Sequence, residues 1–197
     1  MNPCVGNDVV DLAHPDAQAS VPDGAFARRV CTPRERAALA TASEPRRALW
    51  RLWAAKEAAF KALSRRNAEL SFRHAAFEVE DGAVHHAGER LDATWFDEDD
   101  VVACVVARGA RRLVHAGAQL ASGSTPAEES WAARELARTL IGELLDVDPA
   151  AISVQRPPFG RHPAGPPVAY IDDRPLQGVV LSLAHHGRRV ACVVAVG

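Results

Sequence analysis

The feature that most constrains the fold is a six-residue segment that occurs twice. Residues 102–107 read Val-Ala-Cys-Val-Val-Ala, and residues 190–195 repeat the same six letters at an offset of 88 residues. Each copy is apolar throughout and rich in β-branched residues, which is typical of a strand that is buried on both faces. The repeat therefore predicts two related halves, each of which closes on the same strand.

The first half, residues 1–107, is predicted to combine helices with several strands. Thr32-Pro33-Arg34-Glu35 has the pattern of a capping box with Pro in the first turn, which predicts the start of a helix. A long helix is predicted from 45 to 64, because this stretch is rich in Ala, Leu and Arg and has neither Gly nor Pro after Pro45. Strands are predicted near 4–10, 75–79, 85–88 and 101–107.

The second half, residues 126–197, is predicted to follow a linker. Residues 108–125 are rich in Arg, Ala, Gly and Ser, a composition that favours a linker. Thr125-Pro126-Ala127-Glu128 then repeats the capping box and opens a helix that Pro149 ends. Strands are predicted near 168–171, 179–183 and 189–196. The chain is thus predicted to be an α+β protein of two similar halves.

Two lysines stand out because the chain uses arginine at every other basic position. Of 23 Lys and Arg residues, only Lys56 and Lys61 are lysines, and both lie in the first long helix. This selective use indicates a need for a compact ammonium group. The alternative is that Glu57 and Lys61 form an ordinary solvated i,i+4 pair. Lys56 lies on the apolar stripe of the helix, so its ammonium must reach water or meet an anion.

Three sequence blocks near the N-terminus resemble those of one enzyme family. They are Gly6-Asn-Asp8, then Phe26-Ala-Arg-Arg29 with Thr32-Pro-Arg-Glu35, then Trp53-Ala-Ala-Lys56-Glu57-Ala-Ala-Phe60-Lys61-Ala62. Together they resemble the 4'-phosphopantetheinyl transferases, whose pattern is G-x-D, F-x-x-R with T-x-x-E, and W-x-x-K-E-A-x-x-K-A. A fourth block, Ser182-Leu-Ala-His185-His186-Gly187, resembles the coenzyme A contact S-x-S-H-x-G of that family.

The order of the blocks resembles a circular permutation. In the two-half, surfactin-synthetase-activating type, the Ser-His half comes first, whereas here it comes second. The resemblance implies a pseudo-dimer of two phosphopantetheinyl-transferase-like subdomains, each a long helix packed on a small antiparallel sheet. The first half carries Asp97 at the place that corresponds to His185, so we expect one active site built from both halves. The permutation also predicts that residues 193–197 end near residues 4–6.

The N-terminal half is also similar to the small holo-acyl-carrier-protein synthases. These begin at G-x-D, and Asp11 matches their acidic residue three positions after the Asp. The small enzymes trimerise to complete a site, whereas this chain carries its own second half, so we expect a monomer. Asp11 is not expected to be a direct metal ligand.

The resemblance implies transfer of the 4'-phosphopantetheine arm of coenzyme A to a serine of an acyl or peptidyl carrier protein. Adenosine 3',5'-bisphosphate would be released, and the carrier would serve fatty acid or polyketide biosynthesis. Asp8 and Glu57 would bind Mg²⁺, Glu57 would also be the base, and Lys56 and Lys61 would neutralise the diphosphate. Further contacts with the nucleotide phosphates are expected from Ser182, His185 and one or more of Arg156, Arg161 and Arg174.

Two departures from the family pattern bear on these expectations. Ser64-Arg65-Arg66-Asn67 replaces the Gly-rich turn after the second Lys, which affects the loop that would face the carrier. Gly160-Arg161-His162-Pro163 replaces the family's G-K-P, and Asp173-Arg174-Pro175 is a second candidate for that role. An inactive relative that only binds a carrier protein or coenzyme A is the alternative function.

Other function classes fit the chain less well. A formal net charge of −2 lacks the basic excess that is usual in nucleic-acid-binding proteins. The phosphate-binding motifs G-x-x-x-x-G-K-[ST] and G-x-G-x-x-G are both missing from the sequence. The sequence also shows no apolar run of about 18 residues and no signal-peptide pattern. We therefore expect a cytoplasmic protein that binds neither nucleic acid nor a membrane.

Overall fold

The computed structural model describes residues 3–197 and has five α-helices, two short 3₁₀-helices (His74–Ala76 and Pro149–Ala151) and eleven strands in that range. The helices are α1 Pro15–Ala19, α2 Ala25–Val30, α3 Pro33–Ala40, α4 Pro45–Ser64 and α5 Pro126–Leu145. The strands are β1 Cys4–Asp11, β2 Glu78–Glu80, β3 Ala83–His86, β4 Glu89–Glu98, β5 Val101–Arg108, β6 Arg112–Gln119, β7 Ile152–Gln155, β8 Val168–Ile171, β9 Arg174–Pro175, β10 Val179–His186 and β11 Arg189–Val196. Among these residues, none of the helices is both long and apolar enough to cross a membrane.

Helix α4 packs on a five-stranded antiparallel sheet. The strand order is β1-β5-β4-β3-β2. The predicted long helix is confirmed over Pro45–Ser64. The predicted capping box of α3 is also confirmed, because the Thr32 side chain accepts from the backbone of Glu35 and the Glu35 side chain accepts from the backbone of Thr32.

Helix α5 packs on a second antiparallel sheet with the strand order β10-β11-β6. The capping box predicted at Thr125 and Glu128 is confirmed at the start of α5. Strands β7, β8 and β9 form a third small sheet. The order β4-β5-β1 beside α4 matches the order β10-β11-β6 beside α5, so both units have the α+β arrangement expected from the sequence. That the two units form a pseudo-dimer stays a prediction.

The repeated segments occupy corresponding central strands, β5 and β11. Cys104 on β5 packs in the core that contains α4, and Cys192 on β11 packs in the core that contains α5. The next residues, Val105 and Val193, face the opposite way and pack together with Val5. Each repeated strand is therefore buried between its own helix and the other unit, which explains why both are apolar at every position.

The linker prediction is wrong for residues 112–119. These residues form β6, which pairs along its whole length with β11. Six of its eight residues are exposed, so the strand shows little of the apolar alternation by which a strand is recognised. Strands β4 and β7 were likewise not predicted. The division of the chain at residues 107 and 126 stays a prediction.

The two ends of the described chain lie side by side. A Cβ placed on Gly197 would lie 2.6 Å from Cδ of Pro3. This is the proximity that the permutation hypothesis requires of residues 193–197 and 4–6. The permutation itself stays a prediction.

Candidate active site

Gly6 allows β1 to lie directly against α4. A Cβ on this residue would overlap the carbonyl oxygen of Ala58 and lie 2.8 Å from the backbone nitrogen of Ala62. The helix face toward β1 carries small side chains for the same reason. This close approach brings Lys61, on the last turns of α4, within reach of Asp8, two residues after the glycine.

Lys61 lies between two carboxylates. Its Nζ is 2.9 Å from Oδ1 of Asp8 and 3.6 Å from Oε1 of Glu57, and it also donates to the backbone oxygen of Asn7 at 3.1 Å. The Asp8 side chain is buried at 8% exposure, whereas Glu57 and Lys61 are each 26% exposed. The two acids and the lysine predicted from the sequence therefore form one cluster.

The Asp8 carboxyl titrates near neutrality. Burial raises its pKa to about 7, the nearby Lys61 opposes this, and Glu57 raises it further. Burial alone would lower the pKa of Lys61, but Asp8 and Glu57 outweigh burial and raise it, so the ammonium stays charged. When both carboxyl groups are ionised, the cluster carries two negative charges and one positive charge, so a further cation is favoured in that state.

Strand β10 brings residues of the second unit to this cluster. The backbone N–H of Asn7 donates to Oγ of Ser182 at 3.2 Å, and the backbone N–H of Asp11 donates to Nδ1 of His186 at 3.1 Å. Because the partner numbers rise together, β1 and β10 run side by side in the same direction. Ser182 therefore lies level with Asn7, next to Asp8, in the middle of β1.

A cleft of about 590 Å³ joins the two groups of residues. Its polar lining from the first unit includes Asp8, Glu57 and Lys61, and from the second unit Ser182 and His185. Apolar side chains complete the walls: Phe60, Leu70, Ala133, Phe159 and Leu183. The sequence blocks that are far apart along the chain thus meet in a single cleft.

The sequence of the first unit matches a known protein family. The family model described as the 4'-phosphopantetheinyl transferase superfamily matches residues 4–107, which is more than half of the 197 residues. The chain belongs to the 4'-phosphopantetheinyl transferase superfamily. The matched range contains the Asp8, Glu57 and Lys61 cluster of this family member, whereas Ser182 and His185 lie outside it.

The crystal structure of Thermotoga maritima holo-[acyl-carrier-protein] synthase is similar over 61% of this chain and 69% of that chain. The two sequences are 19% identical there, and the TM-score is 0.38. No curated protein matches the chain.

The residues in the cleft suit a magnesium ion that is bound together with substrate. The described residues contain no group of three or more His, Cys, Asp or Glu side chains that could hold a metal by themselves. Mg²⁺ usually takes only one or two protein carboxylates and completes its shell with phosphate oxygens and waters. Asp8 and Glu57 supply two carboxyl groups in the cleft and meet that requirement.

The structure places Lys56 away from the cleft, in contrast to the expectation that it neutralises the diphosphate. Its side chain is completely buried, and its Nζ lies 2.6 Å from Oε2 of Glu35. The ammonium also donates to the backbone oxygens of Val30 at 2.9 Å and His74 at 3.3 Å. All three donors are used, so Lys56 has none left for a substrate phosphate. The alternative in which Lys56 meets an anion inside the protein agrees with these contacts.

Of the three arginines predicted to hold phosphates, only Arg156 lines the cleft. Its Nε donates to the backbone oxygen of Gly165 at 2.7 Å. Arg161 lies outside the cleft lining and pairs with Glu69 at 3.6 Å, both side chains being about 70% exposed. Arg174, on β9, is exposed and is also outside it.

Other cleft residues were missed in the sequence. Arg134 and Ser130 on α5 line the cleft, and so does Arg65 just after α4. Arg65 donates to the backbone oxygens of Leu181 and Pro167, and burial lowers its pKa to about 10. The sequence does contain a signal for Arg134, because this residue lies beside the apolar stripe of α5. Lys56 was singled out on α4 by the same reasoning.

Asp11 is not among the residues that line the cleft. Burial would raise its pKa, but hydrogen bonds from the backbone of Arg188 and Ala13 and the charge of Arg188 outweigh burial and lower it. Its carboxylate accepts from the backbone N–H of Arg188 at 3.1 Å and of Ala13 at 3.0 Å. Asp11 therefore joins β1 to the turn between β10 and β11.

Proposed function

We propose that the chain is a holo-[acyl-carrier-protein] synthase, a 4'-phosphopantetheinyl transferase. It transfers the phosphopantetheine arm of coenzyme A to a serine of an acyl or peptidyl carrier protein and releases adenosine 3',5'-bisphosphate. The observation that carries the proposal is the single cleft in which Asp8, Glu57 and Lys61 face Ser182 and His185. Family membership supports the same reaction class.

The proposed step exchanges one phosphorus–oxygen bond for another. The carrier serine Oγ attacks the phosphorus that bears the pantetheine arm, and the bond from that phosphorus to the oxygen of the adenosine-bearing phosphate breaks. The serine proton passes to Glu57, directly or through a water molecule. The departing bisphosphate gains negative charge, and Lys61 stabilises that charge from its position beside Glu57.

Asp8 and Glu57 would hold Mg²⁺. When bound, this ion neutralises diphosphate oxygens and orients them for displacement. The Asp8 side chain is 8% exposed, whereas that of Glu57 is 26% exposed, so Glu57 is the more accessible of the two carboxyl groups to an incoming serine.

The remaining cleft residues would bind the nucleotide part of coenzyme A. Ser182, His185 and Arg156 offer donors to phosphate oxygens, and the apolar wall offers surface to the adenine ring and the pantetheine arm. The volume of about 590 Å³ lies within the usual range of roughly 300–1,000 Å³ for small-molecule sites. Because one chain supplies every one of these residues, the monomer is the proposed working unit.

The direct test is to incubate the chain with coenzyme A, Mg²⁺ and a panel of apo-carrier proteins and to weigh the carriers by mass spectrometry. We expect one carrier to gain a phosphopantetheine group and the bisphosphate to appear in equal amount. Replacement of the acceptor serine of that carrier by Ala should abolish the gain.

A matched enzyme variant tests the role of Glu57. Glu57→Gln keeps the size of the side chain and removes its charge, so we expect transfer to fall by about 10²-fold or more while the fold is kept. Near-normal turnover of this variant would exclude Glu57 as base and ligand. If the unmodified chain binds coenzyme A or a carrier but modifies none of the panel, the inactive binding relative is the better description.

A further inference from the structure

We propose that Arg134 binds the phosphate on the ribose of the nucleotide and that Glu129 is a positioning residue that holds His185 beside the same phosphate. This inference rests on the proposed function and names the residues that select a 3'-phosphorylated nucleotide. Neither Arg134 nor Glu129 belongs to the sequence blocks that resemble the family.

Arg134 lines the cleft, and its guanidinium is held by its own helix. Its Nη1 donates to the backbone oxygen of Ser130 at 2.9 Å and to the Ser130 hydroxyl at 2.6 Å. Its other nitrogens make no hydrogen bond or ion pair within residues 3–197. A half-buried arginine that is fixed at one nitrogen and free at the others is prepared to bind a phosphate.

His185 is held by Glu129 through one nitrogen of its ring. Its Nδ1 lies 2.8 Å from Oε2 of Glu129, one residue before Ser130 on α5. The Glu129 side chain is 14% exposed, whereas that of His185 is 44% exposed. With Nδ1 directed at Glu129, Nε2 is the ring nitrogen that is left to face a second partner. Glu129 thus fixes the direction in which His185 can donate.

Ser182 and His185 mark two different parts of the cleft, because Ser182 contacts Asn7 on β1 whereas His185 contacts Glu129 on α5. Ser182 lies beside Asn7, next to Asp8, and His185 is three residues farther along β10. At about 3.3 Å per residue this is about 10 Å. The diphosphate belongs at the Asp8 and Lys61 end, so a separate phosphate on the ribose falls at the His185 and Arg134 end.

Arg156 is less suited to this role than Arg134. Its Nε donates to the backbone oxygen of Gly165 at 2.7 Å, and Nη2 lies 3.5 Å from that of Ala164. These contacts tie its guanidinium to the loop that forms the cleft wall.

The first unit shows why it has no second site of this kind. Asp97 pairs with Val102 in β5 as His185 pairs with Val190 in β11, so the two residues occupy corresponding places in the repeat. Asp97 forms an ion pair with Arg51 of α4. The acid is on the strand in the first unit and on the helix in the second, so only the second unit has a histidine at this place on the strand.

Equilibrium binding of coenzyme A and of dephospho-coenzyme A, measured by titration calorimetry, tests the inference. For Arg134→Gln we expect the affinity for coenzyme A to fall about 10- to 100-fold, while the affinity for dephospho-coenzyme A, which lacks the ribose phosphate, stays unchanged. Arg138→Gln is the matched control, because Arg138 lies one turn farther along α5 and bonds to Glu135 and the Pro149 backbone outside the cleft.

Glu129→Gln should reduce the preference for coenzyme A over dephospho-coenzyme A and move the ¹⁵N signals of the His185 ring. A purely structural role would weaken both ligands equally and leave their ratio unchanged. The ratio is independent of the folded fraction, so partial unfolding of a variant does not obscure the result. Equal weakening of both ligands, or no weakening of either, overturns the inference. Failure of the unmodified chain to bind coenzyme A overturns the proposed function as well.

Discussion

Replacement of Lys56 by Met separates a structural role of this lysine from a role in phosphate binding. Met has a similar length, so the change removes the ammonium while it keeps most of the side-chain volume. Glu35 would then keep its carboxylate, at 3% exposure, with only the backbone N–H groups of Thr32 and Val79 as partners. A buried charge without its counter-ion is strongly destabilising.

The expected loss of unfolding free energy is about 3–5 kcal/mol. This is a large part of the total of about 5–15 kcal/mol that is usual for a domain. Glu35→Gln alone should destabilise as well, because it leaves the ammonium as the unpaired charge. The double variant Lys56→Met, Glu35→Gln has no buried charge at this place, so it should be more stable than the sum of the single losses predicts.

Urea unfolding at constant pH measures these differences, and Arg161→Met is the control for removal of an exposed ion pair. The Arg161 pair with Glu69 is largely solvated, so its loss should change stability by less than about 1 kcal/mol. Coenzyme A affinity of the folded Lys56→Met protein should stay close to that of the unmodified chain. A variant with unchanged stability and weakened coenzyme A binding would refute this reasoning and return Lys56 to the phosphate site.

Three further predictions concern β1 and the cleft. Gly6→Ala forces β1 away from α4 and should lower the free energy of unfolding by about 3 kcal/mol or more. Gly117→Ala is the control and should change it little, because the added Cβ would be no closer than 3.5 Å to another atom. Equal unfolding curves of the two variants would contradict the close approach of β1 and α4. Lys61→Arg should lower kcat/KM by about tenfold or more despite the conserved charge, because the planar guanidinium of Arg cannot replace the compact ammonium between two carboxylates. Full activity of this variant would show that a lysine is not required. The pKa of Asp8 rises on folding from 3.8 to about 7, so the folded state binds more protons than the unfolded state in this pH range. Without metal, the unmodified chain should therefore lose stability relative to Asp8→Asn as pH rises from about 4 to about 7. Parallel curves of stability against pH would contradict the raised pKa.

Local sequence signals predicted the elements that are regular and strongly patterned. Both capping boxes and the long helix α4 are confirmed, since each depends on contacts between residues a few positions apart. Strands β5 and β11 were predicted because burial on both faces makes them apolar throughout. Strand β6 was missed because one tertiary pairing, with β11, holds a polar segment that has no strand pattern of its own.

The site was predicted in part, and the omissions have one physical reason. The sequence identified Asp8, Glu57 and Lys61, and the structure brings them together with Ser182 and His185. For Lys56 the sequence left two outcomes open, water or an anion, and only the packing of α3 against α4 places Glu35 at its ammonium. For the arginines, the sequence could offer candidates but could not decide which of them face the cleft.

By itself, the sequence determined which chemical groups the chain has, the capping and length of its helices, and the repeat of its central strands, because these depend on residue type and short spacing. Only the tertiary structure decided which of the charged groups pair with each other and which line the cleft. The partners of Lys56 and His185 lie 21 and 56 residues away along the chain. Burial and distance set the roles of such groups, and both arise only when α4, α5 and the two sheets have packed.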